Sequence, residues 1–249
     1  MSGLDTAALI GGGLALLFGG VIKGLTGIGL PLFALPIMVY FMPVPLAMTL
    51  LTLPSLVTSA WQALQGGRLG PAFARTWPLL IGIVAGCFLT ARMLVTTDLH
   101  TLYLILGVLV IAFASVLNFR VVFNVRPAHE RPVGLAAGLV SGAIGGVSML
   151  FGPVYTVYLS SIRLDKEAFV VAVSLANLAA AGSLALALAH LKIMGGTELA
   201  GSVAAIVPVL AGMFAGQFVR GRLNEARFRK ALAIVLLAIG ASLLHKALG

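Results

Sequence analysis

The chain has 249 residues, 60% of them hydrophobic and only 9% charged, with a mean hydropathy of +1.12. A soluble domain carries roughly 25% charged residues, so this composition cannot build a water-facing surface, and a bilayer is the expected solvent. The net charge of +9 does not call for a nucleic-acid partner, because basic residues collect in the cytoplasmic loops of membrane proteins.

In chain order, the opening "MSGLDTAALIGG" lacks the basic n-region of a cleaved signal peptide, so the first segment is expected to be retained. Residues 7–42 are apolar but too long for one span, and a break, "GGVIKGLTGIGLP" at 19–31, divides them. Apolar spans of 18 or more residues follow at about 46–65, 76–95 and 100–120. A second divided segment covers 133–162, its break being "SGAIGGVSMLFGP" at 141–153. Three more spans follow at about 168–190, 199–219 and 230–247. The limbs after the breaks, about 30–42 and 151–162, would reach only about 20 Å as helices. Short limbs meeting around mid-membrane are the favoured arrangement, with a re-entrant hairpin as the alternative.

The basic residues orient these segments. Arg68, Arg75, Arg120, Arg126, Arg131, Arg163, Lys166, Arg220, Arg222, Arg227, Arg229 and Lys230 fall in four loops, 12 of the 16 Lys and Arg. With those loops cytoplasmic, both termini lie outside and the halves have opposite topology. The halves also match in sequence. At an offset of 122, Gly20, Ile22, Gly24 and Pro31 pair with Gly142, Ile144, Gly146 and Pro153, and Thr26 faces Ser148. At an offset of 130, Pro78, Gly82, Gly86, Phe88 and Arg92 pair with Pro208, Gly212, Gly216, Phe218 and Arg222. The expected fold is an all-α integral membrane protein of two inverted-topology repeats. Each is a Gly/Pro-broken helical hairpin followed by three transmembrane helices. The repeats are 1–122 and 133–249, joined by a cytoplasmic linker at 123–132.

Paired broken helices in inverted repeats are the pattern of secondary transporters, which bind substrate at the breaks. Unwound backbone survives in hydrocarbon only inside protein or beside a polar cavity. A proline in the first turn of the next helix loses no hydrogen bond, and the free N–H groups of that helix start favour an anion. The candidate substrate residues are therefore Lys23, Gly24, Thr26, Gly27, Gly29 and Pro31 in the first break. Gly145, Gly146, Ser148, Gly152 and Pro153 are their counterparts in the second. On the following spans Thr52 and Ser55 match Ser174 and Asn177 at the offset of 122 and complete the set; Gln62 and Gln217 are weaker candidates. Lys23 has two readings, offsetting an anion's charge or snorkelling to the cytosol. Gly82/Gly86, Gly134/Gly138 and Gly212/Gly216 are small-xxx-small pairs suited to close helix packing. Trp61, Trp77 and Tyr40 suit an interfacial belt.

The seven Asp and Glu residues all fall at segment ends or in loops, so a proton relay through a membrane carboxylate is not expected. No metal cluster, nucleophile–base pair or phosphate loop is legible. Neither an enzyme nor a cofactor is expected, and Cys87 can form no disulfide within the chain.

Two halves that each open with a Gly-rich break and a proline, followed by an "LAMTLLTLPSL"-type helix, resemble the sulfite exporter TauE/SafE family of membrane permeases. The resemblance covers nearly the whole chain. It implies a multi-pass protein of a bacterial cell inner membrane that moves sulfite or organosulfonates, with the paired breaks bordering the substrate. The expected partners are a small anionic substrate and membrane lipids; homo-oligomer formation is left open. An anion channel using the same helix ends and a non-transporting scaffold are the alternatives.

Overall fold

The computed structural model describes residues 6–27, 30–65, 69–118, 124–219 and 225–248. Gly29, Arg68, Arg120, Arg220 and Arg222 lie outside them. The described chain is helical, with no strand among the described residues. Its elements are α1 (Thr6–Thr26), α2 (Leu30–Met38), α3 (Val44–Gln65), α4 (Leu69–Ala91), α5 (Met93–Thr96) and α6 (Leu99–Asn118). After a 3-10 turn (Pro127–His129) come α7 (Glu130–Ser148), α8 (Gly152–Ser161), α9 (Lys166–His190), α10 (Gly196–Ala204), α11 (Ile206–Val219) and α12 (Glu225–Leu248). Among the described residues, six helical stretches are long and apolar enough to cross a membrane: Thr6–Thr26, Val44–Gln65, Leu69–Thr96, Glu167–His190, Gly196–Val219 and Lys230–Ala247. Large apolar side chains face outward along them, Leu89 at 75% and Phe218 at 77% exposure, as a lipid solvent requires.

The first limbs are not short. α1 has 21 residues and α7 has 19, about 30 Å each, whereas α2 and α8 have 9 and 10. The glycines of α1 and α7 do not break the helix because most of them are packing surfaces. A Cβ on Gly20 or Gly24 would come closer than 3.0 Å to carbonyls of α11, and one on Gly212 or Gly216 would meet carbonyls of α1 as closely. Gly82 and Gly86 of α4 face Gly138 and Gly142 of α7 in the same way. Such backbone-on-backbone contact forces all these positions to be glycine. Thr90 adds a hydrogen bond across the second pair, its hydroxyl donating to the Ala143 carbonyl at 2.7 Å.

The chain divides into two compact units that do not follow its halves. Unit 1 holds Met1–Pro54, Val95–Arg120 and Ile193–Gly249. Within it α1 packs on α11 and α2, and α6 packs on α12. Pro54 has no N–H, so the Leu50 carbonyl loses its helical partner, and Ser202 of α10 replaces it by donating at 3.1 Å. The same hydroxyl accepts from the Leu53 amide at 3.2 Å. The expected span at 199–219 is interrupted at Ala205, because the Pro208 ring crowds the Ala204 carbonyl four residues back. Lys246 of α12 reaches the end of α2, donating to the Val39 carbonyl at 3.1 Å with its ammonium 4.6 Å from the Tyr103 ring.

Unit 2 holds Ser55–Leu94 and Val121–Lys192. In it α4 packs on both α7 and α9, and α8 lies against α7 and α9. One charged cluster closes an end of this unit. Arg75 of α4 grips Glu130 with two hydrogen bonds, 2.8 and 2.5 Å, and its guanidinium also donates to the Ile162 carbonyl beyond α8. The Tyr158 hydroxyl donates to the Glu130 carbonyl at 2.9 Å, which requires glycine at 134 because a Cβ there would sit 2.6 Å from the tyrosine oxygen.

Candidate functional site

The two breaks turn by one mechanism. α1 ends with the Gly27 amide donating to the Lys23 carbonyl at 2.8 Å, and α7 ends with the Met149 amide donating to the Gly145 carbonyl at 2.6 Å. These residues stand at the offset of 122 found in the sequence, and both are left-handed, with φ of 77° at Gly27 and 59° at Met149. A left-handed residue after the last turn is a common helix stop, natural for glycine and strained for methionine. Ser148 stabilises the second turn, accepting from the Leu150 amide at 3.2 Å, while Ser141 donates to the Phe151 carbonyl at 2.7 Å. The Phe151 ring lies over Gly145, where any Cβ would collide with it.

Beyond the turn α8 starts without a side-chain cap, its N-cap being Phe151 and its first turn containing Pro153. Its far end is satisfied: the Val125 amide donates to the Ser161 carbonyl at 3.2 Å and Arg75 to that of Ile162. The amides at the start of α8 carry the positive end of the dipole with no side chain assigned to them. Pro31 likewise falls in the first turn of α2.

The hydroxyls predicted to donate to substrate divide sharply. Thr26, Thr52, Ser148 and Ser174 each donate to the carbonyl four residues back, at 2.8, 2.7, 2.7 and 2.8 Å. A hydroxyl has one proton, so these four offer a ligand lone pairs rather than a donor. Ser55 and Asn177, equivalent at the offset of 122, are different. Ser55 Oγ and Asn177 Nδ2 are buried and have no hydrogen-bond partner, as are Gln62 Oε1 and Thr156 Oγ1. All four belong to unit 2, on α3, α8 and α9. A buried polar group left unpaired costs roughly 1–3 kcal/mol, so each of the four is a candidate for a polar contact.

Asn177 is also oriented. The Tyr155 hydroxyl, in the first turn of α8, donates to Asn177 Oδ1 at 2.6 Å. That bond occupies the amide's acceptor and leaves its two N–H donors pointing away from the phenol. The start of α8 and the Asn177 amide are thus within one tyrosine side chain of each other. Tyr155 itself is fully buried, so the bond is sheltered from water. Of the residues in this arrangement, the sequence named Asn177 and Ser55, with Gln62 as a weaker candidate, and did not single out Tyr155 or Thr156. The available signal was a tyrosine one turn into the limb after the proline.

The remaining predicted residues sit as follows. Gly24 packs on α11 and Gly146 on α4, which accounts for their lack of a side chain. Gly152 is the first residue of α8. Lys23 is only 2% exposed, enclosed by protein, which disfavours snorkelling. It belongs to unit 1, as do Thr26, Gly27, Pro31 and Thr52, whereas the second-break residues, Ser55, Ser174 and Asn177 belong to unit 2. Among the described residues no group of three His, Cys, Asp or Glu could hold a metal ion.

A family model described as "Sulfite exporter TauE/SafE" matches residues 12–243. The curated proteins and the solved structures give no match.

Proposed function

The chain belongs to the sulfite exporter TauE/SafE family of membrane transporters, and from that premise we propose that it carries a small sulfur-containing anion, sulfite or an organosulfonate, outward across an inner membrane. The observation that carries this reading is the buried Asn177 amide, held by Tyr155 with both N–H donors unpartnered beside the uncapped start of α8. A sulfonate or sulfite oxygen accepts hydrogen bonds and carries negative charge that a neighbouring carboxylate would repel. Donors without a neighbouring acid therefore suit it better than a cation. Asn177 Nδ2, Ser55 Oγ and the free amides of α8's first turn supply the contacts. Lys23, Thr26, Gly27 and Pro31 are the corresponding elements of the other repeat.

Export needs no membrane carboxylate. A monovalent anion leaving a cell that is negative inside gains about 2.3 kcal/mol per 100 mV, enough for an outward gradient of roughly 50-fold. Efflux driven by the potential alone is then sufficient, with both termini outside and the repeats inverted about the membrane plane.

The test is charge movement in proteoliposomes on jumping from chloride to sulfite, sulfoacetate, taurine, acetate or an organic cation. A saturable current with the sign of net anion movement, for a sulfur anion and not for the cation, supports the proposal. A current that never saturates would make the protein a channel. No current together with no isotope flux would leave the breaks as packing devices.

A further inference from the structure

We propose that the groove between α7 and α8 seats one anionic glycerophospholipid, with an acyl chain against its valines and its phosphate on Arg126 and His129. The groove is a cavity of about 660 Å³ within unit 2, well inside the size range of small-molecule sites. Its long walls are Val133 and Ala137, one turn apart on α7, and Val154 and Val157 on α8. Its end is closed by the segment before α7, which brings Asn124, Arg126 and His129 to the lip. The Val125 amide pins that segment by donating to the Ser161 carbonyl, so Arg126 and His129 are held at the end of the alkyl walls.

The charge at this lip is not neutralised locally. Glu130 is the acid adjacent in sequence, and both of its oxygens are engaged by Arg75. Arg126 and His129 are exposed, and neither has a carboxylate partner among the described residues. A pocket with alkyl walls and basic residues at one end fits an amphiphile with an anionic head. Basic recesses between membrane helices are suited to such headgroups. A free phosphate ion would use Arg126 and His129 alone and gain nothing from the four apolar side chains, whereas a zwitterionic lipid would bring a cation that Arg126 repels. Asn177 does not line the groove, and the groove's basic residues, Arg126 and His129, lie on the segment before α7, so the proposal stands whatever the transported anion is.

The experiment uses the full chain purified in a non-ionic detergent. Phosphatidylglycerol, phosphatidylcholine of the same acyl chains, glycerol 3-phosphate and inorganic phosphate are each titrated while the thermal midpoint is read. Bound lipid is counted by native mass spectrometry. The expected result is saturable stabilisation by one phosphatidylglycerol, half-saturating at a concentration at least about fivefold below that of phosphatidylcholine, and none from either water-soluble phosphate. Arg126→Ala should weaken it about fivefold, the worth of one basic residue at an anionic headgroup. Ala137→Leu, which fills the groove, should abolish the selectivity. Arg131→Ala, an exposed arginine on the same end of α7 that does not line the cavity, should leave it intact. Equal stabilisation by the two lipids, an equal effect of free phosphate, or an equal loss in Arg131→Ala would overturn the proposal. So would unchanged selectivity in Arg126→Ala. If Ala137→Leu does not fold, the Arg126 and Arg131 variants still decide.

Discussion

Replacing Tyr155 and Asn177 together separates a substrate contact from a structural bond. The Tyr155 hydroxyl and Asn177 Oδ1 are each other's partner at 2.6 Å, in a place shielded from water. Removing one alone would strand the other, at roughly 1–3 kcal/mol, and confuse folding with function. In Tyr155→Phe/Asn177→Leu both partners become apolar groups of similar shape, a change that is nearly neutral for stability. The double variant also deletes the unpartnered Nδ2 donors. A hydrogen bond to a charged group contributes about 1.5–3 kcal/mol, so losing one such donor should weaken substrate half-saturation by roughly 10- to 150-fold. Tyr155→Phe by itself keeps the amide but not its orientation and should fall between wild type and the double variant. The assay is the concentration dependence of sulfite-driven current or isotope flux in proteoliposomes, paired with the thermal midpoint of each variant. A double variant with half-saturation within about twofold of wild type would refute the assignment, since the predicted loss is at least about tenfold.

Other outcomes follow from the same geometry. Ser55→Ala should also weaken half-saturation, by about tenfold, while Thr52→Val and Ser174→Ala, whose protons are committed to their own helices, should change it little; flux titrations of the three variants check this. Gly27→Ala meets no neighbour within 4 Å but must adopt φ near 77°, so thermal or denaturant unfolding should show a loss of about 1–2 kcal/mol from backbone strain alone. Gly142→Ala drives a Cβ into the Ile83 carbonyl and should cost about 1–3 kcal/mol, whereas Gly13→Ala, with open space around it, should stabilise α1 by roughly 0.5–1 kcal/mol in the same measurement. In a double-mutant cycle, Arg75→Ala and Glu130→Gln should couple by about 1 kcal/mol or less, since the Arg75 side chain is 39% exposed and screened.

Much of this protein is written locally. Nine per cent charge and long apolar runs commit the chain to helices in lipid, because no other element satisfies its own backbone there. The breaks were legible too: the stops after Thr26 and Ser148 and the restarts at Leu30 and Gly152 fall within the two motifs, with Pro31 and Pro153 in the first turn of each following helix. Only the first stop is made by a glycine, Gly27; the second is made by Met149. The offset of 122 was visible as identities, and the two left-handed stops, Gly27 and Met149, and the unpaired Ser55 and Asn177 also stand at that spacing.

Other features are decided by contact. Gly24 and Gly146 read in sequence as break glycines bordering a substrate, but they pack against carbonyls of α11 and α4, helices far away along the chain. The grouping of α1 with α11 and α4 with α7 depends on which glycine faces meet, and neither face carries a label of its partner. Arg75 and Glu130 read as two separate loop charges until folding closes the 55 residues between them. Thr52, Ser55, Ser174 and Asn177 are all candidates as letters, Asn177 the most polar of them. Only the folded chain shows which protons return to a helix carbonyl and which donors stay unpaired, because a polar side chain's partner is settled by the neighbours packed around it.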